Sequence, residues 1–240
     1  TDPATLTGLL TASTQAGEQA YLVPDGGADA GPAAQDVALT ALRSVAEELG
    51  TAALGRVRHR LVVTHPVTAE DRAFLAAAGV SATVVPDADG VLHAPVASLL
   101  ADAVTVCLGA GPAGDPWAAV RSALSHPDPD ERISARSAFA AATRTPLRAL
   151  PDAPAARLSV APRLSVSAPA VFGVWDADAV AVQSPDGRVA AWSTDTRAGT
   201  PLLPALDAET ALPRWRATWV DGRIAAEDVA RDAHDAATPA

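Results

Sequence analysis

Lysine and methionine are absent from these 240 residues, and all 18 basic side chains are arginine. That bias is the mark of a GC-rich genome and says little about function. Cysteine occurs once, at Cys107, so no internal disulfide can form. Cys107 falls in a predicted buried strand, where a small core hydrophobe is expected before a nucleophile. Positive charge is scarce as well: 28 acidic residues leave a net charge of −10 and a pI near 4.8. A nucleic-acid partner needs a basic footprint and is excluded on that ground. No apolar run reaches membrane-spanning length, and no charged-plus-apolar leader opens the sequence. The expectation is therefore no membrane and a cytoplasmic location. Three catalytic signatures are also missing: the G-x-S-x-G elbow, the P-loop and H-E-x-x-H.

What is present is a core-forming chain. Hydrophobic residues make up 49%, charged residues 19%, and the mean hydropathy is slightly positive. The spacing predicts a helix over 4–16, with Leu6, Leu9 and Leu10 on one face, then a short strand from Gln19 to Val23 ended by Pro24-Asp25-Gly26-Gly27. Leu42, Val45, Ala46 and Leu49 form a helical stripe within Ala34 to Leu49, stopped by Gly50. Strands are expected at Leu61 to Thr64, Ala82 to Val85 and Val104 to Leu108. Between them lie a helix opened by Thr68-Ala69-Glu70-Asp71 and closed by Gly79, and a short helix from Pro95 to Ala103. Strands and helices alternating at this spacing imply a mostly parallel sheet of about four βα units. That is half of an eight-fold (β/α) TIM-type barrel. Half a barrel leaves two strand edges and one face to be covered, which predicts a homodimer, a complementary half-barrel chain, or opening into a doubly wound sheet.

After Arg144 the texture changes to proline, alanine and serine, with strand-like pieces around Ser159 and Ser165. From Ala170 the chain alternates apolar and polar residues, with hairpin signals at Ser184-Pro185-Asp186-Gly187 and at Asp221-Gly222. The resulting division is a half-barrel α/β domain over 1–150, a linker over 151–169, a small β domain over 170–228 and a tail over 229–240.

The stretch from Val104 to Arg144 organises the rest. A β-branched strand runs into Gly109, Gly111 and Gly114, and Asp115-Pro116 then starts a helix that Trp117, Val120 and Leu124 pack onto the sheet. Gly109 to Gly114 satisfies G-x-G-x-x-G, a nucleotide-binding pattern. Its late position, the negative cap at Asp115 where a pyrophosphate should lie, and the absence of a following strand with an acidic end all weigh against that reading. The segments DPWAAVRSAL, ERISARSAFAAATR, GRVAAWSTDTRAGTPLLP and LPRWRATWVDGRI resemble the end of a metal-dependent amidohydrolase. The similarity is to the long amidohydrolases that act on amides and related C–N bonds. It implies the C-terminal half of such a barrel, followed by a small β-sandwich segment.

Those enzymes hold divalent ions at the carboxyl ends of their strands, and an Asp on the last strand moves a proton from the bound water. By the resemblance, the first strand's H-x-x-G-D corresponds to Tyr21–Asp25. Leu22 then stands at the ligand position and Asp25 survives. The R-I-E-H of the next strand corresponds to Arg60–Val63, with Val63 at the ligand. The G-S-D-x-P of the last strand places Gly111 at the catalytic Asp, and the H-x-H strand lies upstream of Thr1. Every ligand expected in this chain is thus replaced by an apolar residue or glycine. A residual polar site would consist of Asp25, His65 and Asp115. His65 could act as a displaced ligand, holding zinc with help from a partner chain, although Pro66 disturbs that geometry and a loop histidine bonded to backbone is the alternative. His59, His93, His126 and His234 form no spaced metal cluster. The run Asp128, Asp130, Glu131 is either a cation site or a solvated helix start. The expectation is an amidohydrolase-like protein without catalytic metal or cofactor, serving for binding, scaffolding or oligomerisation. Its alternatives are a C–N hydrolase completed by a second half-barrel, and a nucleotide-binding domain.

Overall fold

Asp2 begins the first helix by accepting hydrogen bonds from the N–H groups of Ala4 and Thr5, with Pro3 in the position where a missing N–H costs nothing. This helix, α1 (Pro3–Ala16), ends at Gly17 in a left-handed conformation. Of its expected apolar face, Leu10 is buried while Leu9 is 62% exposed. The computed structural model describes residues 2–24, 31–151, 164–183, 192–193 and 202–228. The chain divides into two units, 1–159 and 160–240.

In the first unit, β1 (Tyr21–Leu22) precedes α2 (Pro32–Leu49), whose stripe of Ala38, Leu39, Leu42 and Val45 is buried. Gly50 stops α2, but a further helix not expected from the sequence, α3 (Thr51–Val57), starts at once. The extended, positive-φ backbone of Gly50 (φ 84°, ψ 149°) breaks the axis, and Ala53, Leu54 and Val57 return the chain to the core. Strand β2 (Arg60–Val63) follows, then α4 (Ala69–Ala77), whose Thr68 and Asp71 form a complete capping box. Strand β3 (Ser81–Val84) leads to α5 (Val96–Ala101) and β4 (Val106–Leu108). The last strand is two residues shorter than expected. Ala103 is still left-handed at φ 61° and the Val104 N–H bonds back to Leu99, so the chain is leaving α5 at that point. Helices α6 (Pro116–Leu124), α7 (Ala135–Thr143) and α8 (Thr145–Arg148) complete the unit.

The four strands form one parallel sheet in the order β1-β2-β3-β4. Sequential order without reversal is that of a barrel wall, in which right-handed crossovers put the connecting helices on one face. Leu22, Leu61, Val63, Ala82, Val84 and Val106 make that face and are buried. The opposite face carries Tyr21 and Arg60 at one level, then Val62, Thr83 and Cys107. Tyr21 is 52% exposed, so the interior side is open at the β1 edge. Below the sheet, Gln19 donates to the carbonyls of Arg58 and Ala149, and Arg58 Nη1 donates to those of Arg148 and Leu150. These bonds tie the end of α8 to the strand starts.

In the second unit, β5 (Phe172–Asp176), β9 (Arg214–Val220) and β10 (Arg223–Glu227) form an antiparallel sheet in the order β10-β9-β5. Strands β6 (Val180–Gln183), β7 (Trp192–Ser193) and β8 (Leu203–Pro204) form a second, in the order β7-β6-β8. Asp221 and Gly222, both at positive φ, make the predicted hairpin turn. Around Ser165 the chain forms a turn, its carbonyl accepting from the Ala168 N–H, and not the strand-like piece expected. Ser159, the Ser184–Gly187 turn and the tail over 229–240 lie outside the described residues.

Candidate functional site

Barrel-wall folds place their chemistry at the carboxyl ends of the strands, and four loops meet that description here. Gln35, the first core-facing residue of α2, organises the β2 exit. Its Oε1 accepts from the N–H groups of Thr64 (3.0 Å) and His65 (3.1 Å), and its Nε2 reaches the His65 carbonyl at 3.4 Å. This glutamine is 1% exposed and lies on the same stripe as Ala38 and Leu42, and it is not among the site residues expected from the sequence. A polar residue in register with an apolar stripe is the signal that would have found it.

After β3, Asp87 shapes the loop. Its Oδ1 accepts from the N–H groups of Asp89 and Val91, and its Oδ2 lies 2.8 Å from His93 Nε2. Burial works to raise the Asp87 pKa, but the hydrogen bonds from Val91, His93 and Asp89 outweigh it and hold the carboxyl below its ordinary value. The His93 ring lies 6.4 Å from that of His65. The buried Thr64 hydroxyl, next to His65, has no hydrogen-bond partner among the described residues.

After β4 the backbone is crowded. A Cβ on Gly109 would lie 2.8 Å from Val85 Cγ1. Gly111 adopts φ 67°, and a Cβ there would come within 2.8 Å of both the carbonyl oxygen and the ring of Pro86. The position at which the resemblance expects the catalytic Asp is therefore shaped for glycine alone. Asp115 caps α6, its Oδ1 accepting from the N–H groups of Trp117 and Ala118. It thus stands on the donors that a pyrophosphate would need.

Leu22 and Val63 lie on the helix-covered face, and the interior positions beside them are Tyr21, Val62 and Thr64. A shift of one residue along a strand exchanges the two faces, so any ligand from β2 would have to come from the Val62–Thr64 parity. Asp25 lies outside the described residues. His65 and Asp115 are held by different partners, Gln35 on the one side and the α6 terminus on the other. The acidic run is committed to structure: Asp128 caps the 3-10 turn Pro129–Glu131, and Glu131 accepts from the Ser98 N–H and hydroxyl. His59, fully buried, belongs to the α1–β2 packing. Among the described residues no group of three His, Cys, Asp or Glu side chains could hold a metal ion, and none of their helices is long and apolar enough to cross a membrane.

No protein-family model matches this sequence, and no curated protein does. The fold nevertheless has counterparts: the chain's mixed α/β fold, with its four-stranded parallel sheet, matches part of solved hydrolase structures. It is similar to a triazine hydrolase variant, with 17% identity and a TM-score of 0.61, and to an atrazine chlorohydrolase mutant from Arthrobacter aurescens TC1 complexed with zinc and atraton, with 18% identity and a TM-score of 0.60. In both comparisons 98% of this chain aligns with 51% of the other. The chain thus spans about half the length of the structures it matches. The residues at the positions compared with metal ligands do not fit the zinc of that relative: Leu22 and Val63 are hydrocarbon turned to the helix layer, and Gly111 leaves no room for a side chain.

Proposed function

We propose that this chain is the C-terminal half of an amidohydrolase-type barrel that has lost its catalytic metal and acts as a non-catalytic binding or assembly module. The observation that carries this reading is the backbone at Gly111, left-handed and 2.8 Å from Pro86 at the hypothetical Cβ. A carboxylate at this position would need the loop rebuilt. The β1 edge, unpaired on one side among the described strands, suits an assembly role because exposed strand edges recruit partners. Metal analysis of the purified protein tests the reading. The expected result is zinc, nickel and manganese well below one ion per chain, and a near-stoichiometric ion would remove it. Restoring the acid alone is expected to fail: Gly111→Asp should lower stability by about 1–3 kcal/mol through backbone strain and contact with Pro86, with no gain in bound zinc.

A second reading is a hydrolase of C–N bonds active only when a complementary half-barrel supplies the H-x-H strand. His65, His93, Asp87 and the unpartnered Thr64 hydroxyl favour it, because they gather polar groups at the carboxyl ends of β2 and β3. Hydrolysis that appears on mixing the two halves and disappears with chelator would establish it over the first. The nucleotide reading loses support from Asp115, whose carboxylate occupies the α6 terminus; a rise in melting temperature with NAD, FAD or ATP would revive it.

A further inference from the structure

The parallel pairing of β2 with β3 sets their exit loops side by side, and with them His65 and His93. The two imidazole rings lie 6.4 Å apart between centroids, their planes at 32°. An imidazole nitrogen meets a divalent transition metal such as zinc at about 2.0–2.1 Å, so two rings sharing one ion stand roughly 5–6.5 Å apart. The observed separation falls at the wide end of that range. Both rings are within reach of solvent, since His65 is half-buried and His93 exposed.

Each ring is also held from behind. Gln35 fixes the His65 backbone, accepting from its N–H and donating to its carbonyl. At the other ring, Asp87 Oδ2 lies 2.8 Å from His93 Nε2, and Asp87 Oδ1 is anchored by the N–H groups of Asp89 and Val91. A carboxylate only accepts, so Nε2 carries the ring proton and the lone pair of the neutral imidazole is on Nδ1. A carboxylate behind a histidine in this way orients the ring as a metal ligand and raises its basicity.

We infer that His65 and His93 form a two-nitrogen site for a divalent transition metal, with His93 bound through Nδ1 and Asp87 as its positioning residue. Imidazole donors suit copper, nickel and zinc over magnesium and calcium, and the order of intrinsic affinity puts Cu²⁺ first. No third His, Cys, Asp or Glu side chain among the described residues completes the set, so water fills the remaining positions. The site is separate from the positions compared with metal ligands above. Leu22, Val63 and Gly111 take no part, and His65 lies beyond the end of β2 at Val63. An ion held by both rings fastens the β2 exit to the β3 exit.

Copper titration of the full, untagged chain after chelator treatment tests this. Electron paramagnetic resonance of the first equivalent of Cu²⁺ should show nitrogen splitting from two imidazoles. The melting temperature should rise with it, because the ion binds the folded state. H65Q and H93Q should each lose the two-imidazole spectrum and the rise, while melting like wild type without metal. H234Q should leave both unchanged. D87N keeps both ligands and should weaken copper binding about tenfold with the two-imidazole spectrum intact. A first equivalent bound through fewer than two imidazoles, or one that survives in H93Q or disappears in H234Q, would overturn the inference. Unchanged copper affinity in D87N would overturn it as well. The non-catalytic reading fails separately, on an ion that untreated H65Q and H93Q both retain.

Discussion

The hydrogen bonds around His59 assign its tautomer. The Ala20 N–H donates to Nδ1 at 2.9 Å, so the ring proton sits on Nε2 and is donated to Thr14 Oγ1 at 2.8 Å. Thr14 in turn donates to the Leu10 carbonyl at 2.6 Å. Protonation would place a second hydrogen on Nδ1 against the Ala20 N–H, inside a site with no accessible surface. Desolvation accordingly lowers the His59 pKa from 6.5 to about 4. The unfolded chain binds this proton more readily than the folded one, so stability from this group is full above pH 6.5 and falls as the pH drops toward 4. The loss reaches roughly 3 kcal/mol at about 1.4 kcal/mol per pKa unit. Urea unfolding across that range should show the decline in wild type and a flatter profile in His59→Gln. The sequence placed His59 at a strand start between two arginines. It could not show burial against Thr14, because that contact joins positions far apart in the chain.

At the scale of elements, local chemistry accounts for most of what was legible. The capping box at Thr68 and Asp71, the Asp115-Pro116 start of α6 and the Asp221-Gly222 hairpin are each settled within a few residues, and each was readable from the chain. Asp71 also pairs with Arg43 at 2.8 Å, joining α4 to α2. Elements whose ends depend on neighbours were less legible: α3 begins directly after a helix-stopping glycine, and β4 waits for Ala103 to leave α5. Gln35 shows how one element positions another, since a single side chain from α2 satisfies two N–H groups of the β2 exit. Gln35→Leu keeps the volume and strands both donors, at a cost of about 2–4 kcal/mol. Denaturant unfolding should register that loss, and hydrogen exchange at Thr64 and His65 should speed up by more than the global change explains.

For the molecule as a whole, one parallel sheet with two ends leaves more undone than a closed barrel would. The described sheet ends at β1 and β4, and the matching structures continue for about as much chain again. The alternation of strands and helices determined the parallel four-strand frame, because hydrophobic period and capping residues act locally. The same alternation could not say which side of each strand looks inward. Tertiary structure decided that Leu22 and Val63 belong to the helix layer, because side-chain direction follows strand register, which is a property of the whole sheet. It also decided that Gly111 has no space for an acid, since that limit is set by Pro86 from the loop after another strand.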